Sequence, residues 1–249
     1  MLERRIEEAA LNSWPALQQP LFDGWIIRFA HGYTKRANSV TPLYPSLLTN
    51  EEKIAYCEHF YQEKQLPTIF RLPSFAAESQ ELDQLLAQRG YNSLDHTHVF
   101  FRELNRELNA GPATDNSAIQ TLTLANWFPI YRQFNHRYSE LQHLHRTLLE
   151  RIAPPFIYAA LYQQDIPVAC GLGVLEHDAL GIFDIVTDPA QRRKGYGTQL
   201  VASMLAWGQQ RQAQYAYLQV IDSNQAAQQM YTQLGFQPCY HYWYRQQPK

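Results

Sequence analysis

The stretch that decides the fold is residues 188–198, which read Asp-Pro-Ala-Gln-Arg-Arg-Lys-Gly-Tyr-Gly-Thr. It lies between a strand-like run and a helix-like run. Pro189 cannot continue a strand ladder, so the chain must turn there. Gly195 and Gly197 lack Cβ atoms and let a ligand approach the backbone where a helix begins, which favours an anion. With three cations beside it, the stretch predicts a diphosphate cradle; the alternative is a surface loop whose glycines only relieve turn strain.

Two better-known phosphate motifs are absent from the sequence. Gly-x4-Gly-Lys-Ser/Thr does not occur, and the Gly-x-Gly pair at Gly171 and Gly173 lies inside a strand-like run without the third glycine of a dinucleotide-binding turn. The motifs therefore predict neither a P-loop nor a dinucleotide-binding turn. A nucleotide-phosphate binder without a preference for CoA stays open at this point.

Hydrophobic periodicity divides the chain into two α/β halves. Residues 109–117, Asn-Ala-Gly-Pro-Ala-Thr-Asp-Asn-Ser, have the composition of a linker. We predict domains over 1–108 and 118–249, with the orders α-β-β-α-β-α-β and β-α-β-β-β-α-β-α-β. Both halves contain a helix that ends in glycine and an aromatic residue, at 85–91 and 230–236. This likeness favours a degenerate internal duplication.

Two motifs in the second half carry a family resemblance. Arg-x-x-Gly-x-Gly at residues 192–197, after a strand that ends Val-Thr-Asp-Pro, resembles the acetyl-CoA pyrophosphate loop of the GNAT (GCN5-related) N-acetyltransferase superfamily. Asn224, Tyr231 and the following Leu-Gly-Phe resemble the second cofactor motif of that family, at its usual distance downstream. The resemblance covers residues 118–249 and implies an α/β fold with a mixed, mostly antiparallel sheet flanked by helices. The first half resembles a reduced unit without a glycine loop, so we expect a tandem in which only the second unit binds acetyl-CoA.

The resemblance also implies roles for particular residues. Free backbone groups at the end of the strand before the loop would bind the pantetheine arm, loop amides would hold the pyrophosphate, and Asn224 would hydrogen-bond the pantetheine. Tyr231 would protonate the departing thiolate, because a phenol is neutral at pH 7 and can donate a proton; the alternative is a buried aromatic on a helix face. The expected cofactor-binding residues are Ile185, Val186, Thr187, Arg192, Arg193, Lys194, Gly195, Tyr196, Gly197, Thr198 and Asn224.

The acceptor implied by the resemblance is a primary amine, which must lose a proton before it attacks. Asp184 interrupts the apolar run Ile-Phe-Asp-Ile-Val and is the expected base, with a satisfied structural carboxylate as the alternative. In an alternating strand, Asp184 shares a face with Ile182 and Val186. Glu140 and Glu176 are lesser candidates for the base.

One wall of the acceptor site is expected in the helical segment 127–152, which we predict to be broken at Pro129. The histidines of this segment lack the i, i+4 spacing of a helical metal pair, so we predict no metal site; they are His136, His143 and His145. Residues 135–140 are polar and aromatic and form either a substrate contact or a solvated helix face. In the first half, residues 34–40 either reach the acceptor cleft or form the splayed strand of the reduced unit.

Composition argues against several functional classes. The chain has 23 acidic and 21 scattered basic residues, for a net charge of -2, which is no nucleic-acid footprint. Cys57, Cys170 and Cys239 form no Cys-x-x-Cys pair and suit a reducing cytoplasm. The start of the chain is unlike a signal peptide, and no apolar run approaches the ~18 residues of a membrane span.

We therefore predict a cytoplasmic enzyme that moves the acetyl group of acetyl-CoA to a small-molecule or peptide amine in a ternary complex. We expect no nucleic acid, membrane or metal as partner, and the sequence leaves the oligomeric state open. A non-catalytic acyl-CoA-binding regulatory module is the alternative from a different functional class.

Overall fold

The computed structural model describes residues 2–104, 119–135 and 141–248. Helices and strands alternate over these ranges much as the hydrophobic periodicity predicts. The helices are α1 Leu2–Ser13, α2 Asn50–Gln62, α3 Ser79–Gln88, α4 Leu124–Phe134, α5 Gln142–Leu149, α6 Tyr196–Gln210 and α7 Gln225–Gln233. The strands are β1 Leu21–Phe22, β2 Trp25–Ile27, β3 Val40–Pro42, β4 Ile69–Pro73, β5 Asn92–Glu103, β6 Ile119–Leu122, β7 Phe156–Gln163, β8 Ile166–Glu176, β9 Ala179–Thr187, β10 Tyr215–Ile221 and β11 Gln237–Gln246.

These strands form one mixed sheet in the order β1-β2-β3-β4-β11-β5-β10-β9-β8-β7-β6. The β3–β4 and β9–β10 pairs are parallel, and the other neighbours are antiparallel. The predicted mixed, mostly antiparallel sheet is therefore confirmed. Strand β5 of the first half lies between β10 and β11 and pairs with both, so the two halves share their central strands.

Helices cover both faces of the sheet. On one face, α1, α4 and α5 pack against sheet residues such as Phe183 and Tyr217. On the opposite face, α6 and α7 bury Leu200 and Met204, and α2 and α3 cover the β2–β4 end with a core of their own. A side chain of β9 therefore meets α1, α4 and α5 if it points one way and α6 if it points the other way.

Local sequence signals predict the start of α2 correctly but predict a helix break that does not occur. The side chain of Thr49 caps α2 and exchanges hydrogen bonds with Glu52, as in a capping box. The predicted break at Pro129 is wrong, because Pro129 lies inside α4. Pro129 and Ala125, whose carbonyl loses its helical partner, are both exposed, so water can satisfy that carbonyl.

The predicted linker, residues 109–117, lies outside the described residues, and the division of the chain there stays a prediction. Contacts between the two halves are extensive. Arg5 of α1 donates to Asp178 at 2.8 Å, and Arg245 of β11 donates to Asp83 of α3 at 2.7 Å. Together with the shared sheet, these ion pairs hold the halves against each other.

Candidate active site

Strands β9 and β10 run side by side only over the first part of their lengths. Their parallel pairing ends with Ile182 opposite Leu218. Strand β9 stays paired with β8 as far as Thr187. Beyond Ile182, the backbone groups of β9 that point away from β8 therefore face a wedge between the two strands. The predicted pantetheine-binding residues Ile185 and Val186 lie along this wedge with Thr187.

A β-bulge at Asp184 interrupts β9. Two residues, Asp184 and Ile185, oppose the single Gly171 of β8, and Asp184 has a φ of 51°, which is uncommon for a residue with a Cβ. The bulge turns Asp184 toward α5, whereas Ile182 packs against α6 on the other face. The expectation that Asp184 shares a face with Ile182 is wrong, because the extra residue in the bulge interrupts the alternation of side chains between the two faces of the sheet. Val186 does lie on the same face as Asp184, as expected.

The loop before α6 has a conformation suited to binding an anion. Arg193 and Gly195 have φ angles of 63° and 81°, and Gly195 is the N-cap of α6. The first helical amide with a backbone acceptor is that of Gln199, which donates to the Gly195 carbonyl at 3.0 Å. The amides of residues 196–198 have no acceptor within the helix. Three exposed cations stand beside these amides, namely Arg192, Arg193 and Lys194.

Three elements meet at the start of α6. A Cβ built on Gly197 would lie 3.3 Å from Oγ1 of Thr187 in β9 and 3.4 Å from Sδ of Met230 in α7. A Cβ built on Gly195 would have no described atom within 4 Å. The space at Gly197 is therefore narrow and the space in front of Gly195 is open, so a ligand could reach the backbone from there.

Tyr231 is buried in α7 next to Met230, with 7% of its surface exposed. Its ring packs edge to face on Phe236, with the ring centroids 5.9 Å apart. Burial raises the pKa of the Tyr231 phenol, which therefore stays neutral at pH 7. Within the described part of the chain, its hydroxyl has no hydrogen-bond partner. The ring thus fills the core, and a catalytic role for the hydroxyl stays a prediction.

Asn224 is the N-cap of α7. Its Oδ1 accepts a hydrogen bond from the amide of Ala227 at 3.2 Å, which satisfies one of the free amides of the helix start. This capping bond fixes the orientation of the side chain. Asn224 therefore has a structural role, and its exposed position leaves the predicted contact with the pantetheine arm as a prediction.

Asp184 is hydrogen-bonded to His145 of α5 in the interior of the protein. Its Oδ2 lies 2.8 Å from Nε2 of His145, and the side chains are 9% and 1% exposed. Four aromatic rings surround the imidazole with centroids at 4.8 to 5.8 Å, from Trp14, Tyr33, Phe128 and Tyr131. A carboxylate and an imidazole, two kinds of side chain that serve as general bases in enzymes, thus lie side by side within this wall.

These features agree with what comparison with known proteins shows. Residues 3–245 match the family model described as "Probable histone acetyltransferase Rv0428c C-terminal". The chain belongs to this family of GNAT acetyltransferases. The resemblance stated from the two cofactor motifs is therefore confirmed, and it extends through the first half as well.

Individual GNAT proteins are similar to this one over most of their lengths. The chain is 28% identical to the uncharacterized N-acetyltransferase YobR of Bacillus subtilis strain 168, over 97% of each protein. A GCN5-related N-acetyltransferase from Kribbella flavida has a TM-score of 0.74 at 13% identity and covers 100% of this chain and 96% of its own. A tandem GNAT protein from the clavulanic acid biosynthesis pathway has a TM-score of 0.62 at 11% identity, over 85% and 76% of the two chains. These structures share the fold.

Several predicted residues of this GNAT chain lie elsewhere. Glu176 is at the β8–β9 turn, the end of β9 remote from the wedge, and accepts a hydrogen bond from Asn12 at 2.6 Å. His143 is exposed on α5, and Glu140 and His136 lie outside the described residues. Over the described ranges, no group of three His, Cys, Asp or Glu residues could hold a metal ion. The same ranges contain no helix that is long and apolar enough to cross a membrane.

Sequence reasoning did not predict the hydrogen bond between Asp184 and His145. A signal for it exists in α5, where Leu144 and Leu148 are buried one turn apart and His145 lies in the same stripe. A buried polar side chain requires a hydrogen-bond partner. Asp184 is likewise a polar residue in an apolar strand. Two polar residues at positions expected to be buried could therefore have been predicted to hydrogen-bond to each other.

Part of the stretch 34–40 lies near the Asp184–His145 pair. The guanidinium carbon of Arg36 lies 4.6 Å from the ring centroid of Trp14, and that ring lies 5.3 Å from His145. The ring of Tyr33, just before this stretch, stacks on His145 at 5.8 Å. Arg36 therefore lies on the Asp184 side of the sheet, whereas Val40 belongs to β3. Whether this stretch reaches the acceptor or acts as the splayed strand of the reduced unit stays a prediction.

Proposed function

We propose that this GNAT enzyme transfers the acetyl group of acetyl-CoA directly to a primary amine while both substrates are bound. The observation that carries the proposal is the bulge in β9. It lies between the last residue paired with β10 and the residues along the wedge, and it aims Asp184 at His145. A candidate proton acceptor and a candidate cofactor groove are thus neighbours on one strand.

Acetyl-CoA fits the groove in three respects. The unpaired backbone of β9 suits an arm that contains amides, and the free amides of residues 196–198 suit a diphosphate. A Cβ on Gly197 would fill the narrow space beside Thr187 and Met230. Bound there, acetyl-CoA would supply the acetyl group as a reactive thioester. In this proposal Ile185, Val186, Thr187 and Asn224 hold the pantetheine, and Arg192, Arg193, Lys194, Gly195, Tyr196, Gly197 and Thr198 hold the diphosphate.

Residues of the chain would handle the protons of the reaction. An amine is protonated at neutral pH, and we assign its proton to Asp184, which His145 holds in place through the 2.8 Å hydrogen bond. The neutral amine nitrogen then bonds to the carbonyl carbon as the carbon–sulfur bond breaks. Tyr231 would donate a proton to the departing sulfur, because its phenol is neutral and its hydroxyl is unpaired among the described residues. The second proton of that nitrogen passes to solvent, and the phenolate left by Tyr231 regains a proton from solvent, so that one proton is released overall.

We further propose a cytoplasmic location and a small-molecule or peptide amine as the acceptor. The three cysteines, Cys57, Cys170 and Cys239, are all free thiols. Free cysteines are typical of reducing compartments, which supports the location. The membership in the GNAT acetyltransferases supports an amine acceptor, and Asp184 is positioned to take the proton that such an amine must lose.

The test is acetyl transfer to a panel of primary amines. Release of free thiol is measured together with the gain of one acetyl group by mass, in wild type and in Asp184→Asn. Asp178→Asn is a matched control, because Asp178 is also bonded to a basic side chain, that of Arg5, but lies at the other end of β9. Thiol release that depends on the amine, is lost in Asp184→Asn and is kept in Asp178→Asn supports the proposal. Binding of acetyl-CoA without transfer to any amine contradicts it, and equal binding of ATP contradicts the loop assignment.

A further inference from the structure

A strained loop of the first half, residues 30–38, lies beside the Asp184–His145 pair. Asn38 is buried and fixes this loop, because its Oδ1 accepts from two loop amides at 2.7 and 2.9 Å and its Nδ2 donates to two loop carbonyls at 2.7 and 2.9 Å. Thr34 has a φ of 57°, a strained value for a β-branched residue. Such strain persists only where the surroundings impose it, and it is concentrated at functional sites.

The loop presents Arg36 to the aromatic wall of the site. The guanidinium lies over the ring of Trp14, which contacts His145. Burial raises the pKa of the Tyr33 phenol, the Asp184 carboxylate raises it further, and Arg36 opposes both effects. Asp184 and Arg36 therefore both influence the pKa of Tyr33, and both lie near its ring.

Arg36 differs from the other cations of its neighbourhood. Lys35 is paired with Asp95 at 2.7 Å, and Arg28 is buried and donates to three backbone carbonyls. Arg36 is half-buried and has no carboxylate partner within the described ranges. A guanidinium presents a planar fork of N–H donors that matches the two oxygens of a carboxylate. An unpaired guanidinium on a rigid loop beside a candidate active site is therefore suited to a carboxylate ligand.

We propose that Arg36 binds a carboxylate of the acceptor, so that the substrates of this enzyme are amines that also carry a carboxylate group. This inference rests on the proposed acetyl transfer to amines. The amine of the substrate would be at Asp184 and its carboxylate at Arg36, with Trp14 covering the apolar chain between them. The substrate would then contact both halves of the protein.

The test compares amino acids with their carboxamides as acetyl acceptors. Glycine, γ-aminobutyrate and L-lysine are each assayed against the matching carboxamide, because they separate the amine and carboxylate by different lengths. For at least one length, we expect the acid to exceed the carboxamide in kcat/KM by roughly 10- to 100-fold, as for a hydrogen-bonded charge pair. In Arg36→Gln, kcat/KM for the acid should fall towards that for the carboxamide, mainly through KM, so that the preference for the acid is lost.

Two further variants separate binding from folding. Arg36→Lys keeps the charge without the fork and should keep part of the preference even if Arg36→Gln is unstable. Arg211→Gln is the matched control, because Arg211 also lies over a tryptophan, 4.5 Å from the ring centroid of Trp207, at the far end of α6. It should keep the full preference for acids.

The outcomes distinguish this inference from the proposed function. Equal rates for acids and carboxamides in wild type, or an unchanged preference in Arg36→Gln and Arg36→Lys, would overturn the carboxylate site and leave acetyl transfer standing. Transfer to none of these acids while other amines are acetylated would also overturn it. Transfer to no amine of any class would overturn the proposed function as well.

Discussion

Gly195 and Gly90 are a matched pair for testing the diphosphate cradle. Both have a φ of 81°, and a Cβ built on either would have no described atom within 4 Å. Gly90 follows the end of α3, whereas Gly195 caps the start of α6. Gly195→Val and Gly90→Val therefore introduce the same backbone strain without a clash, but only the first lies at the predicted ligand site.

The expected magnitudes separate strain from binding. A left-handed conformation costs a residue with a Cβ about 1–2 kcal/mol, and each kcal/mol lowers the Tm of a chain of this size by about 2–4 °C. Both variants should therefore melt roughly 2–8 °C below wild type. A valine at residue 195 would also block the amides of residues 196–198, and one lost hydrogen bond to a charged group costs about 1.5–3 kcal/mol. We expect CoA affinity to fall by at least roughly 10-fold in Gly195→Val.

Thermal unfolding and calorimetric titration with CoA measure the two effects in the same samples. Gly195→Val should lose stability and CoA affinity, and Gly90→Val should lose only stability. Unchanged CoA affinity in a folded Gly195→Val would refute the assignment of the cradle. A comparable loss of affinity in Gly90→Val would refute the local explanation, because Gly90 has no part in the proposed site.

Three more outcomes follow from the same geometry. Tyr231→Phe keeps the ring packing and should lower kcat by roughly 10- to 1000-fold with little change in acetyl-CoA affinity; a change in affinity alone would make Tyr231 a binding residue. Asp184→Asn should lower kcat by roughly 10²- to 10⁴-fold. The double variant Asp184→Asn/His145→Gln should have a kcat only slightly lower than that of Asp184→Asn, because His145 acts through Asp184. Additive losses in the double variant would contradict this role of His145. Burial would raise the pKa of Asp83, but hydrogen bonds from Arg245 and Trp243 outweigh it and lower that pKa. Asp83→Asn should therefore reduce the free energy of unfolding by about 1–2 kcal/mol at pH 7. That difference should shrink below about pH 4, as the wild-type carboxyl is protonated, and a difference independent of pH would exclude the ion pair as its cause.

The sequence predicts those features that depend on neighbouring residues. The loop at residues 188–198 could be predicted because proline, two glycines and the following helix act within one short stretch. The cap at Thr49 was predictable for the same reason, since Glu52 is three residues away. Most strands and helices follow from periodicity alone and occur in the predicted order, except that β1 is additional and the helical segment 127–152 forms two helices, α4 and α5.

The features that prediction missed depend on distant parts of the chain. In the bulge at Asp184, two residues of β9 lie opposite one residue of β8. The pairing of the two strands determines this register, and no sequence pattern within β9 predicts it. His145 lies 39 residues away from Asp184 in sequence, and the residues between them span two strands. The alternation rule therefore failed at the residue for which the direction of the side chain matters most.

The strand order of the sheet restricts how independent the two halves on either side of residues 109–117 can be. Strand β5 pairs with the whole length of β10 on one edge and with β11 on its other edge. Removing the first half would therefore leave a gap between the last two strands of the second. The cofactor motifs lie entirely in the second half, but the aromatic wall around His145 includes Trp14 and Tyr33 of the first. The first half is therefore more than a reduced copy without a glycine loop. It completes the central sheet and forms part of the wall beside Asp184, so an acceptor bound there would contact both halves.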